Sequence, residues 1–358
     1  MTDILILTAS FGNGHNSVSN ALKEQIETEQ KQTKVIIADI LEIVDPNMKS
    51  LSTKMYSELT ENYPNVYNKL YDLKVINKNN IIDNIFSNVY YKKFYEYIEF
   101  EQPKVIISTF PLCSCIVSKI KEEYNINLKL ITVITDVVDS WEWIYKNTNL
   151  YLVPTNEIKN RLINKEINKD SIIVTGIPVK KEFIDKDISL SVKDKKSILI
   201  VLSGIDSISE DLLYNLNEIN NFNIKIVTGR NKKLYKKLSD SEFSNIEIYG
   251  YVNNLNQMMD ESLFIVTKPG GVTIFEAINK ELPLIILNSN IGQERGNIEF
   301  IKKNKIGVII DNLDNLPFIL NYHYKNPNIV NYYCKNIRRV KATINYNRLI
   351  DSVLNEVI

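Results

Sequence analysis

His15 is one of only two histidines in 358 residues, and it closes the turn SFGNGH (10–15). An apolar run, ILILT (4–8), leads into that turn, and a helical pattern follows. Gly12 and Gly14 allow tight backbone geometry there. The turn does not meet the dinucleotide fingerprint, which needs a third glycine where Ser17 stands, nor a phosphate loop ending in Gly-Lys-Ser/Thr. A helix dipole keeps a histidine in its first turn neutral, which suits a general base. The competing reading is a structural hydrogen bonder.

A second candidate lies in TVITDVVDSWEW (132–143), where a strand-like run ends at Asp136, with Asp139, Trp141 and Trp143 beyond it. A carboxylate at a strand's carboxyl end is well placed to abstract a proton, although aspartate also excels as a helix cap. In TKPGGVTIFEA (267–277), Gly270 and Gly271 expose backbone amides at a helix start, an anion site fit for a pyrophosphate. Glu276, further along that helix, is placed to bond ribose hydroxyls. The following loop, NSNIGQERGN (288–297), brings Gln293, Glu294 and Asn297, whose amides and carboxylate can read sugar hydroxyls. The alternative is a plain tight turn with surface residues. The DKD at 185–187 stands among lysines without partner ligands, so it reads as a solvated charge run and no metal is expected.

Twelve short β-branched runs must position these residues: 4–8, 34–39, 104–109, 129–136, 150–155 and 171–176, then 197–204, 224–229, 246–252, 263–268, 282–288 and 306–311. Such runs, alternating with helical patterns, predict α/β architecture with parallel sheets buried on both faces. The polar stretch 179–196 reads as a linker between two doubly wound, Rossmann-like domains facing across a cleft. Residues 1–178 form the first and 197–336 the second, while the final helix-like segment, 337–358, suits either domain.

Lys and Arg total 43, as do Asp and Glu, so no overall field attracts nucleic acid. Three cysteines without CxxC spacing read as buried thiols in a reducing cytosol. The N-terminus lacks a basic leader, and no apolar run is long enough to span a bilayer. Between 45 and 100, tyrosines mix with lysines, suiting either a membrane surface or a helical excursion with its rings turned inward.

The segments TASFGNGHNSVSNAL, MYSELTENYPNVYNKLYDL, ITDVVDSWEWIYKNTNLYLVPT, VTGIPVKKEF, VTGRNKKL, GYVNNLNQMM, TKPGGVTIFEA and IGQERGN occur in the order seen in monogalactosyldiacylglycerol synthases. They are similar too to bacterial processive diacylglycerol glucosyltransferases. The resemblance covers nearly the whole chain and implies a GT-B enzyme, an inverting, metal-independent hexosyltransferase acting on UDP-glucose or UDP-galactose and a diacylglycerol-type lipid. It implies His15 or Asp136 as base, Gly12, Gly14, Pro111 and Trp143 at the acceptor, and a final helix, 337–358, that crosses back onto the first domain. Donor contacts would come from Ser203, Gly204, Gly229, Asn231, Tyr251, Val252, Gly270, Gly271, Val272, Thr273, Glu276, Gln293, Glu294 and Asn297. Tyr67, Tyr71, Lys74, Tyr90, Tyr91, Lys92 and Lys93 would touch the inner face of the cell membrane, with no cofactor needed.

The chain departs from the family pattern in three places. The loop after the first strand of the second domain reads LSGIDSIS (202–209), with Gly204 its only glycine; Ser140 stands where the family has a histidine; and Ile291 replaces a proline. Two other functions share the two-domain design: a UDP-sugar 2-epimerase and a non-catalytic UDP-sugar-binding protein.

Overall fold

The computed structural model describes residues 2–10, 13–44, 68–69, 72, 81–184, 195–202, 205, 207–240 and 243–357. Gly12, Tyr67, Tyr71, Lys74, Ser203, Gly204 and the DKD run lie outside them. The chain divides into two compact units. The first comprises residues 1–181, 290–296 and 343–358; the second comprises 182–289 and 297–342.

In the first unit the order is β1 (Ile4–Thr8), α1 (Asn13–Glu29), β2 (Val35–Asp39), α2 (Ile40–Val44), α3 (Ile81–Glu101), β3 (Val105–Ser108), α4 (Pro111–Glu123), β4 (Lys129–Val133), β5 (Leu150–Val153), α5 (Asn156–Asn164) and β6 (Ile172–Val174). Six parallel strands lie in the order β2-β1-β3-β4-β5-β6. Register pairs Ile4 with Val105 and Leu7 with Ser108 on one side, and Thr8 with Asp39 on the other. Ile4 to Leu7 are fully buried, as a strand covered on both faces requires.

The second unit runs β7 (Ser197–Val201), α6 (Glu210–Asn217), β8 (Asn223–Val227), α7 (Lys232–Ser239), β9 (Ile246–Tyr249), α8 (Leu255–Glu261), β10 (Ser262–Thr267), α9 (Gly271–Asn279) and β11 (Leu284–Leu287). It continues through α10 (Gly292–Asn304), β12 (Gly307–Ile310), α11 (Leu316–Lys325) and α12 (Pro327–Lys341). Its sheet order is β12-β11-β10-β7-β8-β9, the Rossmann order. The first turn of α10, through Gly296, belongs to the first unit.

All twelve expected strands form, and most apolar runs overshoot them at the carboxyl end, where polar residues turn the chain into loops. In open α/β sheets ligands gather where the strand order reverses. That point lies between β1 and β3 in the first unit and between β7 and β10 in the second. After β1 the chain enters α1, whose first turn carries His15, and after β10 it passes through Pro269-Gly270 into α9.

The excursion helix α3 turns Phe94 and Ile98 into the first core, and Tyr90, Tyr91, Tyr95 and Tyr97 pack partly against it. Tyr95 stacks on Tyr124 at 3.6 Å, and the Lys119 ammonium sits 5.0 Å from the Tyr91 ring centroid. Lys92 and Lys93 are exposed. All three cysteines are buried thiols.

The C-terminal return begins at Thr343, later than the 337 read from sequence. Residues 337–342 stay with the second unit because α12 is anchored there: Val330 and Cys334 join its core, and Arg338 and Lys341 bond to Glu281 and the Asn279 carbonyl. Helix α13 (Tyr346–Asn355) then docks on the first unit. There the Asn345 amide donates to the Thr175 carbonyl at 3.3 Å and the Tyr346 hydroxyl to the Ile177 carbonyl at 3.0 Å. Among the described residues no helix is long and apolar enough to cross a membrane.

Candidate active site

In the first unit, polar side chains tie the end of β1 to β2 and to the first turn of α1. Ser10 Oγ donates to Asp39 Oδ2 at 2.5 Å, and Asn16 Nδ2 donates to Ser10 Oγ at 3.0 Å. Asp39 Oδ1 also accepts the Leu41 amide at 2.9 Å, starting α2. These bonds seat the first turn of α1, which carries His15.

His15 Nδ1 lies 2.8 Å from the Thr109 carbonyl oxygen, just beyond β3, and 3.2 Å from Thr135 Oγ1, just beyond β4. A carbonyl only accepts, so the neutral ring carries its proton on Nδ1 and its lone pair on Nε2. Phe110 meets the ring edge-on at 5.0 Å. Burial lowers the imidazole pKa to about 4, against a smaller opposite effect of the Thr109 bond. The ring is therefore neutral at neutral pH, with the Nε2 lone pair available to accept a proton.

Asp136 follows Thr135, half-buried, with its carbonyl accepting the Val138 amide at 2.9 Å. Asp139 is engaged elsewhere, 3.3 Å from Arg161 and 3.2 Å from Lys165. Ser140 is 1 % exposed and its hydroxyl accepts the Glu142 amide. Trp143 is 3 % exposed, so its ring packs inward instead of lining an open surface. Pro111 is buried at the first position of α4, where its missing amide proton has no partner to lose. Gly14 is exposed.

The GQERG segment, read from sequence with the second domain, sits in the first unit. The Gly292 amide donates to Asn68 Oδ1 at 2.9 Å, and Arg295 pairs with Asp72. Gln293 is half-buried and Glu294 buried.

In the second unit, Gly229 takes the left-handed conformation (φ 60°) that ends the turn after β8. Asn231 caps α7, its Oδ1 accepting the Leu234 amide at 3.0 Å. Tyr251 is 63 % exposed with the Arg230 guanidinium 5.7 Å from its ring centroid, and Val252 beside it is half-exposed.

Gly270 is the N-cap of α9, and no side chain caps this helix start. A Cβ on Gly270 would meet nothing within 4 Å. Helix amides without a side-chain cap, with the positive end of the dipole behind them, suit an anion. Asn297, fully buried, braces this turn by donating to the Pro269 carbonyl at 2.9 Å. Gly271 and Val272 are buried, while Thr273 and Glu276 are half-buried along the helix. Lys268, exposed on the opposite flank of Pro269, adds a positive charge that the sequence reading passed over.

Sequence reasoning also missed Thr109, Thr135 and Asn16. The available signal was a threonine at the polar end of an apolar run, in STF (108–110) and ITD (134–136).

Two family models match the chain: the monogalactosyldiacylglycerol synthase model over residues 15–179 and the glycosyltransferase family 28 C-terminal domain over 201–321. The processive diacylglycerol β-glucosyltransferase of Staphylococcus carnosus is 31 % identical over 326 residues, covering 86 % of this chain and 81 % of that protein. Among solved structures, the glycosyltransferase of kitacinnamycin superposes with a TM-score of 0.63 at 13 % identity, covering 99 % of this chain and 98 % of that one. The UDP-GlcNAc 2-epimerase of Neisseria meningitidis gives 0.60 at 14 %, covering 99 % and 100 %. These structural likenesses concern the fold, which is GT-B. With the sequence kinship they lead to one conclusion: the chain belongs to the glycosyltransferase family that includes the processive diacylglycerol β-glucosyltransferases.

Proposed function

We propose that the protein transfers a hexose from a UDP-sugar to the hydroxyl of a diacylglycerol-type lipid, with inversion and without a metal, at the inner membrane face. The observation that carries the chemistry is the His15 ring, neutral and aimed by its Nδ1–H···O=C bond to Thr109. The lipid hydroxyl gives its proton to Nε2 as its oxygen attacks the anomeric carbon, and the bond to UDP breaks on the opposite face. Asp136, next to Thr135, holds the acceptor hydroxyl and stabilises the imidazolium that forms. His15 is the base in this reading and Asp136 its partner.

The leaving diphosphate gathers at the α9 N-terminus, where the amides after Gly270 and the dipole take the developing charge. Lys268 flanks the same turn. Glu276 serves the ribose, Tyr251 and Val252 the uracil, and Gln293 and Glu294 the hexose. The kinship with processive diacylglycerol β-glucosyltransferases supports the acceptor class.

Purified protein, incubated with diacylglycerol vesicles, EDTA and either UDP-glucose or UDP-galactose, is expected to yield UDP and a β-linked glycolipid. Interconversion of UDP-N-acetylhexosamines without an acceptor, or donor binding without transfer to any lipid, would sink the reading.

A further inference from the structure

The turn from Gly292 to Gly296 is held within the first unit on three sides. Asn68 Oδ1 takes the Gly292 amide at 2.9 Å. The Arg295 guanidinium pairs with the Asp72 carboxylate, and its Nε donates back to the Gly292 carbonyl at 3.4 Å. On the third side a Cβ on Gly296 would stand 2.3 Å from the Val137 carbonyl oxygen and 3.1 Å from Val138 Cγ1. Only glycine permits that approach, and Val137 directly follows Asp136. The turn therefore abuts the loop that carries Asp136.

We infer that Arg295, Asp72 and Gly296 are positioning residues: they hold Gln293 and Glu294 against the Asp136 loop, in the geometry that selects the donor hexose. This rests on the hexose-reading role given to Gln293 and Glu294 above. The ion pair is about half exposed on both sides, 44 % and 46 %, so it contributes little to folding. Its worth is geometric. A planar guanidinium with two anchors restricts how the turn sits, which a lysine does not do. Displacing a substrate-reading group by about 1 Å can cost up to ~100-fold in rate.

The test compares Arg295→Asp, Asp72→Arg and the double swap, measuring UDP and UDP-glucose affinity by calorimetry and KM and kcat in the vesicle assay. Each single variant is expected to weaken UDP-glucose binding about tenfold, leaving UDP binding and the thermal midpoint unchanged. The double swap recovers most of the loss, and Arg295→Lys does not. Gly296→Ala lowers kcat as the turn is pushed off Val137. Unchanged UDP-glucose affinity in the single variants, equal losses for UDP and UDP-glucose, or a swap without recovery would overturn the inference. The two readings fail separately. Loss of hexose-dependent affinity in a protein that makes no glycolipid defeats the proposed function and upholds the positioning role.

Discussion

His15 Nδ1 and the Thr109 carbonyl oxygen lie 2.8 Å apart across 94 residues of sequence, and Thr109 is itself fixed by its amide's bond to Leu7. The bond selects a tautomer. Replacing His15 by Gln keeps a polar side chain of similar reach but removes the basic nitrogen. kcat should fall by roughly 10²–10⁴-fold, the range of a lost general base. UDP affinity, measured by calorimetry, should stay at the wild-type value.

The His15 pKa of about 4 makes the reactive form dominant at every higher pH. The rate profile should be flat from neutral pH to about 5 and fall below that, with no inflection near 6.5. The same shift couples to stability. Between the folded value and the ordinary 6.5 the unfolded chain binds more protons, so stability rises with pH there. The contribution is complete above 6.5 and is lost as pH falls towards 4. His323, also lowered by burial, acts in the same direction. Urea midpoints recorded against pH should slope less steeply across that window in His15→Gln than in the wild type.

How far the sequence exposes this site depends on how local each determinant is. Pro269-Gly270-Gly271 is legible because turn chemistry acts on its own backbone, and the twelve strands are legible because parallel-sheet burial on both faces demands unbroken apolar runs. Thr109 was not, since its role is played by a carbonyl whose address depends on β3 lying beside β1. GQERG was assigned with the second sheet by chain order, and only contacts with Asn68, Asp72 and Val137 show its place. The burial of Trp143 was not legible either, because nothing local signals that the short helical turn at Trp141–Trp143 tucks the ring inward. Tyr91 similarly turns from the solvent face towards Lys119 and Tyr124.

With Tyr90 and Tyr91 partly packed on the core, the exposed Lys92 and Lys93 are left as the membrane candidates on α3. Lys93 already donates to the Val44 carbonyl at 2.9 Å. Lys92 is the cleaner probe. A basic residue near an anionic surface contributes about 1 kcal/mol, so Lys92→Glu should weaken sedimentation with anionic vesicles several-fold. Neutral vesicles should show no difference, and binding that ignores the charge reversal would remove α3 from the contact surface.

Lys280, at the end of α9, buries its ammonium against Asp260 at 2.7 Å with 1 % of its side chain exposed. Removing one partner strands a charge in the interior, which costs about 3–5 kcal/mol. Asp260→Asn should therefore lower the second unit's urea midpoint sharply. Lys280→Met with Asp260→Leu should recover much of that loss, because a buried pair pays a large desolvation cost that an apolar pair avoids. A single variant that melts like the wild type would show the pair to be solvated.

Gly270 separates a folding role from a binding role. Its φ of −76° is open to any residue, and a methyl group would meet nothing within 4 Å. The fold therefore has no need of glycine there. A diphosphate at the α9 amides does, because a Cβ on the N-cap intrudes where phosphate oxygens must approach the backbone. Gly270→Ala should leave the unfolding free energy within about 0.5 kcal/mol of wild type, as surface changes generally do. UDP affinity should drop about tenfold, roughly one lost charge-assisted hydrogen bond. Uridine, which lacks the phosphates, should bind both proteins equally. An equal loss for uridine and UDP would move the diphosphate away from this helix.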